Sequence, residues 1–304
     1  MPLGWYLAQG LYPLGPSSSD DEEGPCELPD GRIVCGPHGL VYCGKCCTDY
    51  SEMNDPSTDS EDDEDEDDED DGSSTNPGNT RVPRDGTEKK RGTGKVFPTR
   101  FTPPTGSIRP TELFHSTRYP NGFRYIHRDE RRSALILTDG ACLNNGQPNP
   151  RAGWAFVHGM GLSGEPAIVS NRLENKGPFG DEGVQSSNRA ELRAVIAALR
   201  FRHWPGEGIR TMTIATDSEY VVEGSTKWAR TWVNNGWKTN ANADVKNRDL
   251  WEMLLGEVEK WDDAGLSIRF WRIPREWNET ADAAAKNAAS EDTSYEEWVD
   301  VKGF

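Results

Sequence analysis

Four acidic residues stand where the chain ends an apolar run or enters a helical one. Asp139 ends the run Ala134–Thr138 and Asp217 follows Thr211–Thr216, while Glu191 opens the helical stretch from Asn188 and Asp282 lies early in the alanine-rich segment Glu279–Ala289. Carboxylates that converge without basic partners repel one another, and burying them is costly unless divalent cations bind between them. An all-oxygen donor set suits Mg²⁺ or Mn²⁺. Two such ions side by side can activate a water and stabilise the departing oxygen in phosphodiester hydrolysis. The neighbours Gly140, Ala141, Ala281 and Ala283 are small enough to let a bulky polyanion approach. Each acid also has a plain structural use, in a turn, at a helix cap or against a helix dipole, so the inference rests on the four together.

A second constellation has different chemistry. Cys35, His38, Cys43 and Cys46 are spaced C-x2-H-x4-C-x2-C, with Cys26 and Cys47 beside them and Cys142 far away. Four such ligands suit one tetrahedral Zn²⁺; reduced, unligated thiols are the equal alternative. With zinc, the unit would be an interaction module that recruits a protein partner. A third group, Lys227, Trp228, Arg230, Trp232, Trp237, Lys238, Lys246 and Arg248, interleaves cations with aromatics, as a surface for backbone phosphates and bases does. Trp228, Trp232 and Trp251 also fit the buried side of amphipathic helices. Trp237 and Lys238, in an expected loop, are the better contact candidates.

The elements that must position the acids are readable from periodicity. Ala134–Thr138, Gly153–His158 and Ala167–Leu173 read as three strands joined by short links. Asn188–Arg202 switches to helical spacing, with Leu192, Val195, Ile196 and Leu199 on one stripe and Asn188 with Glu191 as its capping pair. Thr211–Thr216 is a fourth strand, Ser218–Gly224 opens a helix, Leu266–Ile273 alternates as a fifth strand, and Glu279–Ala289 is the last helix. The order predicts an α/β fold, a mixed five-stranded sheet flanked by helices.

At this point four segments acquire a common meaning. Thr138-Asp139-Gly140-Ala141-Cys142, Asn188-Arg189-Ala190-Glu191-Leu192, Ala215-Thr216-Asp217-Ser218-Glu219-Tyr220-Val221 and Thr280-Ala281-Asp282-Ala283 resemble, in order and context, the signature segments of type 1 ribonuclease H. Trp228 to Trp251 is similar to that family's substrate-binding protrusion and the helix after it. The resemblance implies an endonuclease that cuts the RNA strand of RNA/DNA hybrids with two Mg²⁺ ions held by Asp139, Glu191, Asp217 and Asp282. It also implies that Asn188, Asn144 and Asn145, with Ser218, Trp237, Lys238 and Lys246, meet the hybrid and sense the 2′-hydroxyl that marks RNA. One departure stands out. The loop Ile273–Glu279 lacks the histidine that assists proton movement in type 1 enzymes, and Arg275 stands nearest its place. Arginine stays protonated, so it offers charge to a phosphate but no proton shuttle. Slower but retained cleavage is expected. The competing reading is a catalytically silent nucleic-acid-binding protein with the same fold and the zinc-like module.

Charge at first argues against a nucleic-acid partner, since the 304 residues carry a net −17 and mean hydropathy is −0.80. Located, the imbalance belongs to the first hundred residues, with 23 acids and 9 bases, while residues 101–304 carry 28 and 25. Glu61–Asp71 is eleven consecutive carboxylates, which cannot bury apolar surface. The expected organisation is disorder over residues 1–19, a Cys/His module over 20–55, an acidic and Pro/Gly-rich disordered linker over 56–109, a packing arm over 110–132, the catalytic domain over 133–290 and a tail over 291–304. No apolar run reaches membrane-spanning length, and Met1–Gly15 lacks the basic start and long apolar stretch of a secretory signal, so none is expected. The expectation is an intracellular monomer, nuclear or cytoplasmic.

Overall fold

In the computed structural model, residues 88–119, 122–161, 163–239 and 243–303 are described, with short stretches nearer the start at 12–13, 25–28, 32–35, 39–43 and 48–49. The sheet runs through eight strands: β1 (Thr99–Arg100), β2 (Phe114–Tyr119), β3 (Gly122–His127), β4 (Ser133–Leu143), β5 (Arg151–Met160), β6 (Pro166–Arg172), β7 (Thr211–Thr216) and β8 (Ser267–Arg272). Their spatial order is β6-β5-β4-β7-β8-β1, and β3, carrying β2, adds to β4 beside the end of β5. The β4–β7, β7–β8 and β8–β1 pairs are parallel and the β6–β5, β5–β4, β4–β3 and β3–β2 pairs antiparallel. Helices are α1 (Pro110–Leu113), α2 (Ser187–Arg200), α3 (Glu219–Glu223), α4 (Ala229–Asn234), α5 (Arg248–Asp263) and α6 (Glu279–Ser290).

Alternation along β4 divides the core. Ala134 and Ile136 face α2 and α5, meeting Met212, Ile214, Val195, Leu199 and Leu254. Leu135 and Leu137 face the other way, toward Ala215, Trp271 and Ile273. Helix α6 covers part of that second face, and its alanines are explained there: a Cβ on Gly153 of β5 would strike the backbone of Ala285, Ala288 and Ala289. Only small residues permit that approach.

The mixed sheet is the expected architecture, with three strands more than the sequence predicted. The extra strands come from segments without a periodic signal. Leu113, Phe114, Tyr125 and Phe101 roof the half of the second face that α6 leaves open. Phe101 sits 5.0 Å from the Trp271 ring. Residues 88–109, read by composition as disordered linker, are thus part of the packed domain: Gly92 N–H donates to Glu252 O, and Thr93 and Lys95 bond the Glu259 carboxylate. The tail is packed too, since Arg193 lies over the Trp298 ring at 3.8 Å and Asp300 accepts from Nε and Nη2 along one edge of the Arg200 guanidinium.

Near the start, Pro25–Glu27 pairs antiparallel with both Tyr12–Pro13 and Ile33–Cys35, and Tyr42–Cys43 pairs with Thr48–Asp49. Tyr12–Pro13 is therefore strand where disorder was expected. Val34 is buried against Leu28 and Val41. His38 and Cys46, the side chains of Cys35 and Cys43, and the acidic run lie outside the described residues.

Candidate active site

Strand β4 does not end at Asp139 as the sequence suggested. It continues through Gly140, Ala141 and Cys142, which pair with Trp154, Gly153 and Ala152. Asp139 is therefore carried in mid-strand and buried, 5% exposed. Gly140 lets helix α2 come close, because a Cβ there would collide with the Glu191 backbone. The helix starts one residue earlier than expected, with Ser186 as its N-cap accepting from Arg189 N–H at 3.3 Å, so Glu191 lies in the second turn and not in a capping pair with Asn188. A bidentate ion pair pins α2 to α5: Arg189 Nη1 and Nη2 reach Asp249 at 2.8 and 2.6 Å. Gly177 and Gly183 leave room for it.

Asp217 follows β7 directly, in parallel register with β4, which brings it beside Asp139. Ser218 caps α3 by accepting from Val221 N–H at 3.2 Å and donates its hydroxyl hydrogen to Glu191. Asp282 lies in the first turn of α6. Its carboxylate takes Arg275 at 2.9 Å and Lys286 at 2.7 Å. Asn278 donates to Asp217 Oδ1 at 2.7 Å.

Four elements therefore deliver four acids to one place. Burial first, then the charges of Asp217, Glu191 and Asp282, hold the Asp139 carboxyl well above the usual carboxylate range, against the opposing pull of Arg275. Burial also lifts Asp217, against Asn278 and Arg275. Burial works against the charge on Arg275, and the Asp217, Asp282 and Asp139 carboxylates outweigh it, so the guanidinium is held more firmly protonated. Among the described residues no three His, Cys, Asp or Glu side chains are drawn together tightly enough to hold an ion. Glu191 accepts from Ser218, Asp217 from Asn278, and Asp282 from Arg275 and Lys286. Arg275 and Lys286 oppose only part of the charge of four carboxylates. Hard oxygen donors around a buried, only partly compensated Asp139 fit a divalent cation.

The other sequence candidates separate. Asn188 and Asn145 are buried, and Asn145 Nδ2 donates to Ser187 Oγ at 3.1 Å. Trp237 is no exposed contact residue: its ring is 7% exposed within the core, the backbone is left-handed at φ 62°, and Arg248 lies 5.6 Å above the ring. Lys238 pairs with Asp244 at 2.6 Å across the protrusion, and Lys246 is exposed. Trp232 and Trp251 are buried around Tyr220, whose hydroxyl accepts from Trp251 Nε1 at 3.0 Å. Lys286 and Asn278 were not anticipated. An asparagine just before a helix is a recognisable cap signal, and that was the clue available for Asn278. Among the described residues no helix is long and apolar enough to cross a membrane.

Similarity to known proteins converges on the same stretch. The RNase H family model matches residues 131–290. Ribonuclease H of Treponema pallidum subsp. pallidum is 38% identical over 167 residues, covering 52% of this chain and 91% of the relative. Ribonuclease H of Zymomonas mobilis subsp. mobilis is 36% identical over 155 residues, covering 51% and 87%. Among solved structures, that of RNase H1 from the halophilic archaeon Halobacterium salinarum is 23% identical and covers 51% of this chain and 96% of its own, with a TM-score of 0.32.

Proposed function

Because the chain belongs to the RNase H family, whose model spans more than half of it, we propose that it hydrolyses the RNA strand of RNA/DNA hybrids at the Asp139, Glu191, Asp217 and Asp282 site. The observation that carries the reading is the convergence of these acids on a buried Asp139 that no protein cation fully offsets. Asp139 and Asp217 would hold divalent cations, and Glu191 and Asp282 would complete their oxygen shell. When bound, two Mg²⁺ or Mn²⁺ ions supply Lewis acidity, activating the attacking water and offsetting charge on the leaving oxygen.

The chain's own groups do the rest. Ser218 aims Glu191 by its hydrogen bond. Arg275, whose guanidinium is partly exposed beside Asp282, would offer charge and hydrogen bonds to the scissile phosphate. It stays protonated near neutral pH, so the leaving oxygen takes its proton from water, and turnover is slower than with an imidazole in that place. Lys238, Lys246, Arg248, Lys227 and Arg230 provide cations for the backbone phosphates. Asn145 and Asn188 stand by the start of α2, where side-chain amides can distinguish a 2′-hydroxyl from its absence.

Labelled hybrid, duplex RNA and duplex DNA incubated with Mg²⁺ and either wild type or Asp217→Asn test this reading. Cleavage confined to the RNA strand of the hybrid, and lost in the variant, is expected. Hybrid binding with no cleavage by wild type would make the protein a binder on the same fold.

A further inference from the structure

Asn278 touches the machinery at three points. Its side chain is 1% exposed. Nδ2 donates to Thr138 O at 3.0 Å, on the residue next to Asp139, and to Asp217 Oδ1 at 2.7 Å. Its backbone carbonyl accepts from Asp282 N–H at 3.0 Å, closing the turn of α6 that carries the fourth acid. Both side-chain partners are pure acceptors, so only the NH₂ end of the amide can face them. The orientation is fixed by chemistry.

The residue also forgoes its ordinary use. An asparagine at a helix N-cap normally turns its side-chain oxygen to the helix's free N–H groups. Here there is no such bond, and Oδ1 is buried without a partner. The side chain is spent on Asp217 and β4 instead of on the helix.

We propose that Asn278 is a positioning residue that ties Asp217 and the first turn of α6 to strand β4, so that Asp139, Asp217 and Asp282 are presented to one place where a divalent cation would gather them. This rests on the reading that these acids hold cations. Without the amide, Asp217 would lose its tie to β4, and the carboxylates that would hold the cations would be less ordered before binding. The consequence falls on cation affinity and leaves hybrid affinity alone.

The test uses the full chain as wild type, Asn278→Ala and Asn278→Ser. Thermal unfolding is checked first, Mn²⁺ affinity is then measured calorimetrically without nucleic acid, and the Mg²⁺ concentration for half-maximal cleavage is compared with KM for hybrid. The expected result is Mn²⁺ affinity weakened about tenfold or more in both variants, as for other residues that orient metal ligands, a matching rise in the Mg²⁺ requirement, and unchanged KM. Unchanged Mn²⁺ affinity in folded variants would overturn the positioning role while leaving the cation site standing. Failure of both variants to fold would overturn it as well, by assigning Asn278 to the fold. Absence of Mn²⁺ binding by wild type would remove the cation reading itself, and this inference with it.

Discussion

Replacing Arg275 with alanine separates what the protein does for the acids from what cations do. Arg275 reaches Asp282 at 2.9 Å and opposes Asp217 and Asp139 by charge. Its side chain is 37% exposed and that of Asp282 17%, so solvent screens the pair and the contact by itself is worth at most about 1 kcal/mol. Removal has a further cost, because the buried Asp139 and Asp217 lose their opposing charge. Uncompensated buried charges cost about 3–5 kcal/mol, which screening at this half-open site reduces to roughly 1–3 kcal/mol. For a domain of this size that is a fall in Tm of about 2–10 °C. Melting followed by circular dichroism with a chelator present should show this fall. With saturating Mg²⁺ the difference from wild type should shrink to about 2 °C or less, since the cations then supply the missing charge. An equal fall in both conditions, or none without cations, would refute the reasoning.

Three other outcomes are expected. Because the Asp139 carboxyl is held above its ordinary range, folding without cations takes up a proton, so stability is lost as pH rises through that window. Asp139→Asn should thus abolish cleavage yet stabilise the cation-free protein at pH 7 by about 1–3 kcal/mol, with a higher urea midpoint; a lower midpoint would contradict the electrostatics. His158 is held neutral by burial first and then by Arg124 and Arg202, its pKa lowered from 6.5 to about 4. The unfolded chain binds a proton there that the folded one refuses, so stability falls as pH drops from 6.5 toward 4, by about 3 kcal/mol at most; His158→Phe should flatten that part of the pH profile, and parallel profiles would exclude His158. A fragment beginning at residue 131 should fail to fold. It loses Leu113, Phe114, Tyr125 and Ile126, each worth about 1.5–3 kcal/mol of burial, against a total stability of about 5–15 kcal/mol; a soluble fragment with a sharp melt would count against this.

Much of the domain was legible because its elements are periodic. The alternation of Leu266–Ile273 and the apolar stripe of α2 mark buried faces directly. Asp139 was placed at a strand end because Asp-Gly reads as a turn, whereas Gly140 is small so that α2 can approach. Within the roof, Leu113, Phe114 and Tyr125 fall in the segment read as a packing arm, whereas Phe101 was hidden in a stretch whose Pro and Gly content looks like linker. Trp237 misled through its loop position, since a left-handed backbone turns the ring inward beneath Arg248. Asn278 has no period at all. Its role exists only where β4, β7 and α6 meet.

The central claim is that Asp139, Glu191, Asp217 and Asp282 hold the divalent cations that cleave the hybrid. The most direct measurement is anomalous diffraction from crystals of the catalytically silenced Glu191→Gln protein with hybrid and Mn²⁺. The account predicts anomalous peaks between Asp139, Asp217 and Asp282 and the RNA phosphate. Hybrid bound across this surface with no peak among those carboxylates would contradict it.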